Sequence, residues 1–352
     1  MATTLVLYGS AHAAVDAACA ALLFGLLASH HCGAAGFAAL IAAYNLLAFG
    51  LQPLLALAVD SRQSYRHAAV AGCALTAVAL LVPGSFAILP VSIAGAGNAL
   101  FHLGGGSIAL RLKPGCAAPA GIFVAPGAVG LFCGTLLGER GFPALRTGAP
   151  LLGVFAVLLL VHQAPVLQPC DRPQRPLSRG GLILMLLVSS IAMRSLIGVA
   201  FSFPWTTAAE ASPWLVPLLV LAAALGKGFG GVLADRFGWL RTAVCALLMS
   251  LPLLLSATAS HAEKVLAMFL ISTTMPVALA AVAACLPREP AFAFGLTAAA
   301  VLAGALPAIA HSGPLAGIRG PLAAAVLVCA SALYFGLRLA HLSHGPQPQR
   351  AE

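Results

Sequence analysis

Apolar stretches of about 20 residues recur along the whole chain and are separated by short polar connections. A helix of that length crosses the ~30 Å hydrocarbon core of a bilayer at ~1.5 Å per residue. The chain lacks the strict alternation of apolar and polar residues that is typical of transmembrane barrels. The pattern therefore predicts twelve membrane-spanning helices, approximately at residues 4–28, 34–58, 67–83, 86–112, 117–138, 147–167, 181–203, 213–234, 241–258, 263–286, 291–311 and 320–341.

Composition supports a multi-pass membrane protein. Of the 352 residues, 61% are hydrophobic and 8% are charged, which is far from the balance of a soluble domain. The net charge is +9, but the charges are scattered over short connections, so we expect no nucleic-acid partner. The sequence contains no G-x-x-x-x-G-K-[ST] phosphate loop, which disfavours ATP-driven pumping.

The basic residues predict the orientation of the chain. If the N-terminus is cytoplasmic, twelve of the 18 Lys and Arg residues fall on the inner side, four on the outer side, and Arg194 and Lys227 within spans. This positive-inside bias predicts that both termini are cytoplasmic and that the protein lies in the cytoplasmic (inner) membrane.

The chain is predicted to consist of two pseudo-symmetric halves. A polar link, Gln168–Arg179, separates six spans from six. Asp60 follows the second span and Asp235 follows the eighth, an offset of 175 residues, or about half the chain. The predicted divisions are an N-terminal six-helix half at 1–168, a cytoplasmic linker at 169–180, a C-terminal six-helix half at 181–345 and a cytoplasmic tail at 346–352.

Polar residues within the spans mark a candidate site. His12 and Asp16 lie four residues apart in the first span and so share a helix face, and Asn98 and His102 do the same in the fourth. Such residues usually face the bundle interior, because polar groups are costly in lipid. We predict that Asp16, His12 and His102 carry the coupling proton, while a purely structural role in bonding a neighbouring helix stays open. These side chains could in principle hold a divalent metal, but no carboxylate-rich cluster accompanies them, so we predict no metal and no cofactor.

Arg194 lies about 13 residues into the seventh span, near the membrane midplane. Arginine stays charged and binds carboxylate or phosphate groups bidentately. We expect it to bind an anionic substrate, to pair with Asp16, or to do both in turn, and competition for Arg194 would link substrate and proton binding. The predicted substrate-binding residues are Arg194, Asn98, His102, Asn45, Gln52, Phe101, Phe201 and Trp205.

One loop carries a longer motif. Gly231–Arg241 fits the spacing G-x-x-x-D-R-x-G-x-x-R and resembles the signature loop of the major facilitator superfamily, which in that family is a latch between the inward and outward states. The first-half copy around Asp60 and Arg62 lacks the glycines, so we expect a weaker latch there. The predicted gating residues are Gly231, Asp235, Arg236, Gly238, Arg241, Asp60 and Arg62.

Taken together, the chain resembles the fosmidomycin-resistance-like branch of that superfamily. The resemblance rests on the pieces His12-x-x-x-Asp16, Gln52-Pro53, Gly97–His102, and Arg194-Ser195 ahead of Phe203-Pro204. It implies the major facilitator fold, a monomer, and two six-helix halves that rock around a midplane site lined by Asp16, His12, His102 and Arg194. The family often has proline and an acidic residue after the span-four histidine. Here Leu103–Gly106 follows, so we expect a wider site and cannot transfer the substrate.

The predicted function is therefore proton-coupled secondary transport by alternating access, with a small molecule, protons and the lipid bilayer as partners. Efflux of a small anionic or amphipathic compound by antiport is the first interpretation. Uptake of a small organic anion by symport is the alternative, and a non-transporting membrane scaffold or sensor is another, although it would not need Asp16 and Arg194. An enzyme is disfavoured, because no motif pairs a nucleophile with a base.

Overall fold

The structure is a computed structural model of the full chain. It describes residues 1–28, 33–83, 85, 87–141, 144–163, 179–207, 214–256, 260–310 and 319–342. At residues 34, 144–147, 200–207, 308–310 and 319 it describes the backbone alone. The predicted linker core and the predicted C-terminal tail lie outside these ranges.

Within these ranges every regular element is a helix, as the apolar pattern predicts. The α-helices are α1 Ala2–Ala28, α2 Ala34–Asn45, α3 Gln52–Ser61, α4 Tyr65–Leu81, α5 Ile88–Leu112, α6 Ala118–Glu139, α7 Ala144–Val161, α8 Gly180–Thr207, α9 Leu215–Phe237, α10 Trp239–Leu255, α11 His261–Thr273, α12 Met275–Cys285, α13 Pro290–Ala310 and α14 Arg319–Leu339. A π-helical turn, Leu46–Gly50, joins α2 to α3. By length and composition, nine helical segments of the described chain can cross a membrane, and three shorter apolar helices, α4, part of α7 and α10, complete the predicted twelve.

Two of the predicted spans are interrupted helices. The second span contains the π-turn, and Pro53 then opens α3. The tenth span breaks at Thr274, and Pro276 opens α12. Proline is tolerated at these positions because the first residues of a helix donate no intrahelical hydrogen bond. Hydrophobicity alone does not show such breaks, because the interrupted spans stay apolar throughout.

The chain forms two compact units. Unit 1 contains Met1–Leu112, Pro126–Gln168 and Glu289–Ala299, and unit 2 contains Lys113–Ala125, Pro169–Arg288 and Ala300–Glu352. Helices α6 and α13 therefore each contribute one part to each unit. The predicted boundaries at residues 168 and 181 describe the covalent halves and stay a prediction.

Close backbone contacts hold the helices of each unit together. In unit 1, a Cβ added at Gly97 would lie 2.7 Å from Oγ1 of Thr76, so α5 packs directly on α4. In unit 2, a Cβ at Gly230 would lie 2.7 Å from the Cα of Thr273, which brings α9 equally close to α11. Small residues permit such contacts in membrane bundles, where lipid provides little hydrophobic drive for helix association.

Candidate functional site

The carboxylate of Asp16 is the centre of a polar cluster in unit 1. Nε2 of His12, one turn earlier on α1, lies 3.2 Å from Oδ2 of Asp16. On α5, Nδ2 of Asn98 donates a 3.0 Å hydrogen bond to Oδ1 of Asp16. Nε2 of His102 lies 3.9 Å from the same oxygen. The structure thus brings together four of the residues that the sequence predicts as site residues.

The orientation of His102 determines what this cluster can do. Its Nδ1 lies 2.9 Å from the backbone carbonyl of Asn98. A carbonyl oxygen only accepts, so Nδ1 carries the hydrogen, and the neutral ring presents the lone pair of Nε2 towards Asp16. Two acceptors that face each other across 3.9 Å repel unless a proton lies on one of them. The geometry therefore suits a group that takes up and releases a proton.

A glycine of α6 makes room for this cluster. A Cβ added at Gly127 would lie 2.5 Å from Nε2 of His12 and 2.7 Å from Oδ2 of Asp16. Further along α6, a Cβ at Gly130 or Gly134 would collide with the backbone of Ala13 or Ala17 on α1. Glycine at these positions lets α6 lie directly on α1 beside the carboxylate, as small residues do in membrane bundles.

The glycines after His102 do not widen the site, contrary to the sequence-based expectation. A Cβ at Gly104 would meet the carbonyl of Tyr65 and the amide of Ala69 on α4. A Cβ at Gly106 would meet the ring of Phe294. The absent side chains are replaced by a neighbouring backbone and by an aromatic ring, so the space is filled.

Aromatic rings surround His102. The ring centroids of Phe49, Phe101 and Phe294 lie 6.3, 6.0 and 6.2 Å from that of His102. The His12 ring meets it edge-on at 4.5 Å. This apolar lining keeps the imidazole out of bulk water while its Nε2 faces the carboxylate.

Arg194 lies on α8 in unit 2. Its Nε is buried without a hydrogen-bond partner. Among the described residues of unit 2, no carboxylate lies within 4.0 Å of it. The neighbouring Ser195 is already engaged, because its Oγ donates to the carbonyl of Val301 at 2.7 Å. A charged guanidinium without a counter-ion in an apolar span can bind an anion.

The other predicted substrate residues are placed as follows. The amide of Asn45 donates to the carbonyl of Ile41 at 2.8 Å, and that of Gln52 donates to the carbonyl of Ala48 at 2.6 Å. Oε1 of Gln52 and Oδ1 of Asn98 are buried without partners. The side chains of Phe201 and Trp205 lie outside the described residues. The substrate-binding role of all these residues stays a prediction.

The Asp235 loop is folded as a capping contact in unit 2, which we call the second latch (Asp235, Trp239, Ala117 and Ala118). Oδ1 of Asp235 accepts from the amide of Ala117 at 2.7 Å, and Oδ2 accepts from that of Ala118 at 2.9 Å. These amides lie at the start of α6, where a carboxylate interacts favourably with unpaired N–H groups and the helix dipole. The indole of Trp239 donates a third bond, 3.0 Å long.

An equivalent contact lies in unit 1, and we call it the first latch (Asp60, Tyr65, Ala291 and Phe292). Oδ1 of Asp60 accepts from the amide of Ala291 at 3.0 Å, and Oδ2 accepts from that of Phe292 at 2.8 Å. The Tyr65 hydroxyl donates to Oδ1 at 3.1 Å. Although this half lacks the signature glycines, its carboxylate makes the same three bonds, here at the start of α13.

The remaining gating residues have structural surroundings that fit the loop. A Cβ at Gly231 would lie 2.6 Å from the carbonyl of Ala117. Gly238 has a φ of 97°, which side-chain-bearing residues rarely adopt, and it separates α9 from α10. Arg62, Arg236 and Arg241 are exposed. The gating role of the whole set stays a prediction.

We expect Asp235→Asn to weaken the second latch. The amide keeps one acceptor oxygen but loses the charge that the two backbone amides and the helix dipole favour. Hydrogen exchange of the Ala117 and Ala118 amides should accelerate roughly tenfold. The effect is modest because the contact is solvent-exposed, where charged interactions contribute little. Trp239→Phe removes one neutral donor and should have a smaller effect. Unchanged exchange in Asp235→Asn would show that the contact does not hold α6.

The Asp16 cluster also offers metal-type donor atoms. One such atom from each of His12, Asp16 and His102 lies within 4.8 Å of the others. That spacing would also admit one divalent cation. The sequence-based prediction that no metal is bound stays a prediction.

Several residues of the site were not predicted from sequence. Phe49 and Phe294 face His102, and Tyr65 and Trp239 donate to the latch carboxylates. Apolar spans contain many aromatic residues, and their pattern carries no signal for these partners.

Comparison with known proteins gives structural likenesses without sequence matches. No protein-family model and no curated protein matches the sequence. Among solved structures, the fold matches the E. coli fucose:proton symporter FucP with a TM-score of 0.73 and 13% identity over 99% of each chain. The outward conformation of FucP, a major facilitator superfamily transporter, matches with a TM-score of 0.69 and 12% identity over 93% of this chain and 98% of that one.

A third likeness is to the human organic anion transporter MFSD10, with a TM-score of 0.69 and 18% identity over 96% of this chain and 98% of that one. These matches extend over nearly the whole chain and confirm the predicted fold class. The chain has the all-helical fold of the major facilitator superfamily transporters.

Proposed function

We propose that the chain belongs to the major facilitator superfamily and is a proton-coupled secondary transporter of a small anionic or amphipathic compound. The observation that carries the proposal is the Asp16 carboxylate, held by His12, Asn98 and His102 inside an apolar span. A carboxylate is costly in that position, and a reversible proton accounts for its presence. Its side chain is largely buried, with 17% of its surface exposed.

Arg194 supports the anionic character of the substrate. In unit 2 its guanidinium has a buried, unpartnered Nε and no carboxylate within salt-bridge distance among the described residues. A substrate carboxylate, phosphate or phosphonate would supply the missing charge. The similarity in fold to MFSD10, an organic anion transporter, is consistent with this chemistry.

We propose efflux by proton antiport across the cytoplasmic membrane as the direction, with the protein acting as a monomer. Uptake by symport is the second candidate, because FucP is a fucose:proton symporter of the same fold. The fosmidomycin-resistance-like branch remains our proposal for the subgroup, on the sequence motifs alone. In cells, expression should lower the cell-associated amount of a labelled substrate if the protein exports it and raise that amount if it imports it.

Proton flux in liposomes tests the proposal directly. The purified protein is reconstituted around a pH-sensitive dye, and aliphatic carboxylates, phosphonates and amphipathic organic anions are added one at a time. We expect at least one class to produce a change in internal pH that protein-free liposomes lack. Movement of a labelled compound without any pH change would contradict proton coupling and indicate a uniporter or an exchanger.

A further inference from the structure

The first part of α13 is bound to unit 1 at two points. The amides of Ala291 and Phe292 donate to Asp60 in the first latch. One turn further on, Gly295 lies against α3, since a Cβ there would be 2.9 Å from the carbonyl carbon of Gln52 and 3.0 Å from the nitrogen of Pro53. We call Glu289–Ala299 the docked segment; it is the part of α13 that belongs to unit 1.

Phe294 lies between these two points and reaches the Asp16 cluster. Its side chain is 4% exposed. The ring occupies the space above Gly106, where an added Cβ would lie 2.8 Å from Cγ and closer still to Cδ2 and Cε2. It also packs beside His102, with the ring centroids 6.2 Å apart. A glycine on α5 and a phenylalanine on α13 thus form a fitted contact next to the proton-binding histidine.

The protonation state of the Asp16 cluster acts on the contact between Phe294 and Gly106 through His102. With a proton on Nε2 of His102, the imidazolium and the carboxylate of Asp16 attract across 3.9 Å, and the imidazole keeps its place. Without that proton the attraction is lost and the lone pair of Nε2 faces the carboxylate, which favours movement of the imidazole away from Asp16. The aromatic packing around His102 leaves little free space, so its movement displaces the neighbouring rings.

We infer that Phe294 is a positioning residue that makes docking of the Glu289–Ala299 segment depend on the protonation of the His102–Asp16 pair. The segment is held when the proton is bound and loosened when it leaves, so the first latch reports the state of the proton site. This inference rests on the proposed proton coupling and adds the route by which the protonation state of the Asp16 cluster affects the first latch. The two sites share one helix segment, so no long chain of contacts is required.

Among the described residues, few other titratable groups lie near His102. On α1 they are His12, Asp16 and Cys19, and α2 contributes the buried Tyr44. Helix α4, which packs on α5, contributes the buried Cys73. The docked segment contains no titratable side chain beyond Glu289 at its start. A pH response of the segment therefore has to come from the cluster on α1 and α5, from Asp60 in the latch or from Glu289.

Hydrogen exchange of the full-length protein in nanodiscs tests the inference. The protection of the Ala291 and Phe292 amides is measured between about pH 5 and pH 8 and corrected for the chemical exchange rate. We expect protection in the wild type to fall roughly fivefold or more as the pH rises, since opening of the segment exposes these amides. Phe294→Ala should remove this pH dependence, and Phe294→Leu should reduce it.

Three further variants separate coupling from a loss of packing. Phe292→Leu keeps the latch amide and the ring at position 294, so it should retain the wild-type pH dependence. Gly106→Ala fills the space under the ring, so it should abolish the dependence, and combining it with Phe294→Ala should add nothing. His102→Gln should remove the dependence with Asp60 intact, which excludes the latch carboxylate as the source.

The inference is overturned if Phe294→Ala, still folded, keeps the wild-type pH dependence, or if the wild type shows none. That failure is distinguishable from failure of the proposed function. If liposome proton flux is present in the wild type and lost in Asp16→Asn while protection is independent of pH, the transporter proposal stands and the role of Phe294 falls.

Discussion

Asp16→Asn is expected to reduce substrate-dependent proton flux to the level of protein-free liposomes. Asparagine has the shape of aspartate and keeps an Oδ1 that can accept from Asn98, whose donor atom lies 3.0 Å away in the wild type. It takes up no proton in the physiological pH range. We expect the proton flux to fall about a hundredfold or more. Loss of an essential proton carrier abolishes the coupled transport cycle rather than slowing it.

Exchange of labelled substrate across the membrane should survive in the same variant. Substrate exchange without net proton movement does not require the carboxylate to change its charge. The variant should also remain folded, since removing a carboxylate from an apolar span lowers a desolvation cost. Flux loss together with retained exchange identifies Asp16 as a proton carrier and not as a structural residue.

Glu139→Gln is the matched control for this experiment. It removes the same charge from an exposed position at the end of α6. It should leave both proton flux and exchange unchanged. Wild-type proton flux in Asp16→Asn would contradict the assignment and return His12, Asp16 and His102 to a structural role.

The helices were predictable because a bilayer imposes length and hydrophobicity on every crossing. The breaks within the second and tenth spans were not predictable. The π-turn at Leu46–Gly50 and the break at Thr274 occur within stretches that stay apolar, and they depend on backbone hydrogen bonding that residue type does not report. The inclusion of the Glu289–Ala299 segment in unit 1 likewise depends on contacts between residues that are far apart in the sequence.

The polar residues of the candidate site could be predicted, whereas of the phenylalanine rings around His102 only Phe101 was. Four polar residues stand out because such residues are rare in spans: His12, Asp16, Asn98 and His102. The members of each pair are four residues apart, which places them on one helix face. Phe294 has no such signal among the 17 phenylalanines of the chain. The expectation that Gly104 and Gly106 widen the site was wrong, because the sequence shows an absent side chain but not the neighbour that fills its space.

The latch motif shows a similar limit. The spacing around Asp235 was recognisable, but its first-half copy was expected to be weak because the glycines are missing. In the structure both carboxylates accept two backbone amides and one aromatic side-chain donor. The glycines govern how closely helices approach, whereas the capping bonds depend on the aspartate, which both halves keep.

Arg194→Gln is expected to weaken binding of the anionic substrate roughly tenfold to a hundredfold, the size of one lost charge-assisted interaction. Arg194→Lys should bind the substrate with an affinity between those of the wild type and Arg194→Gln, because lysine keeps the charge but not the planar fork of donors. Binding is measured by scintillation proximity with whichever labelled anion drives flux in liposomes. An uncharged analogue of that compound should bind the wild type and Arg194→Gln equally well.

The same substitution should raise the thermal stability of the substrate-free protein. In unit 2 the guanidinium has a buried, unpartnered Nε, and the described residues offer it no carboxylate within 4.0 Å, so the folded state bears an uncompensated cost. A residue kept for structure would do the opposite, and its loss would lower the melting temperature. Arg140→Gln, an exposed arginine just after α6, is the matched control and should alter neither quantity. Reduced stability with unchanged affinity in Arg194→Gln would contradict the substrate-binding role, whereas greater stability with weaker binding is the signature of a charge retained for its ligand.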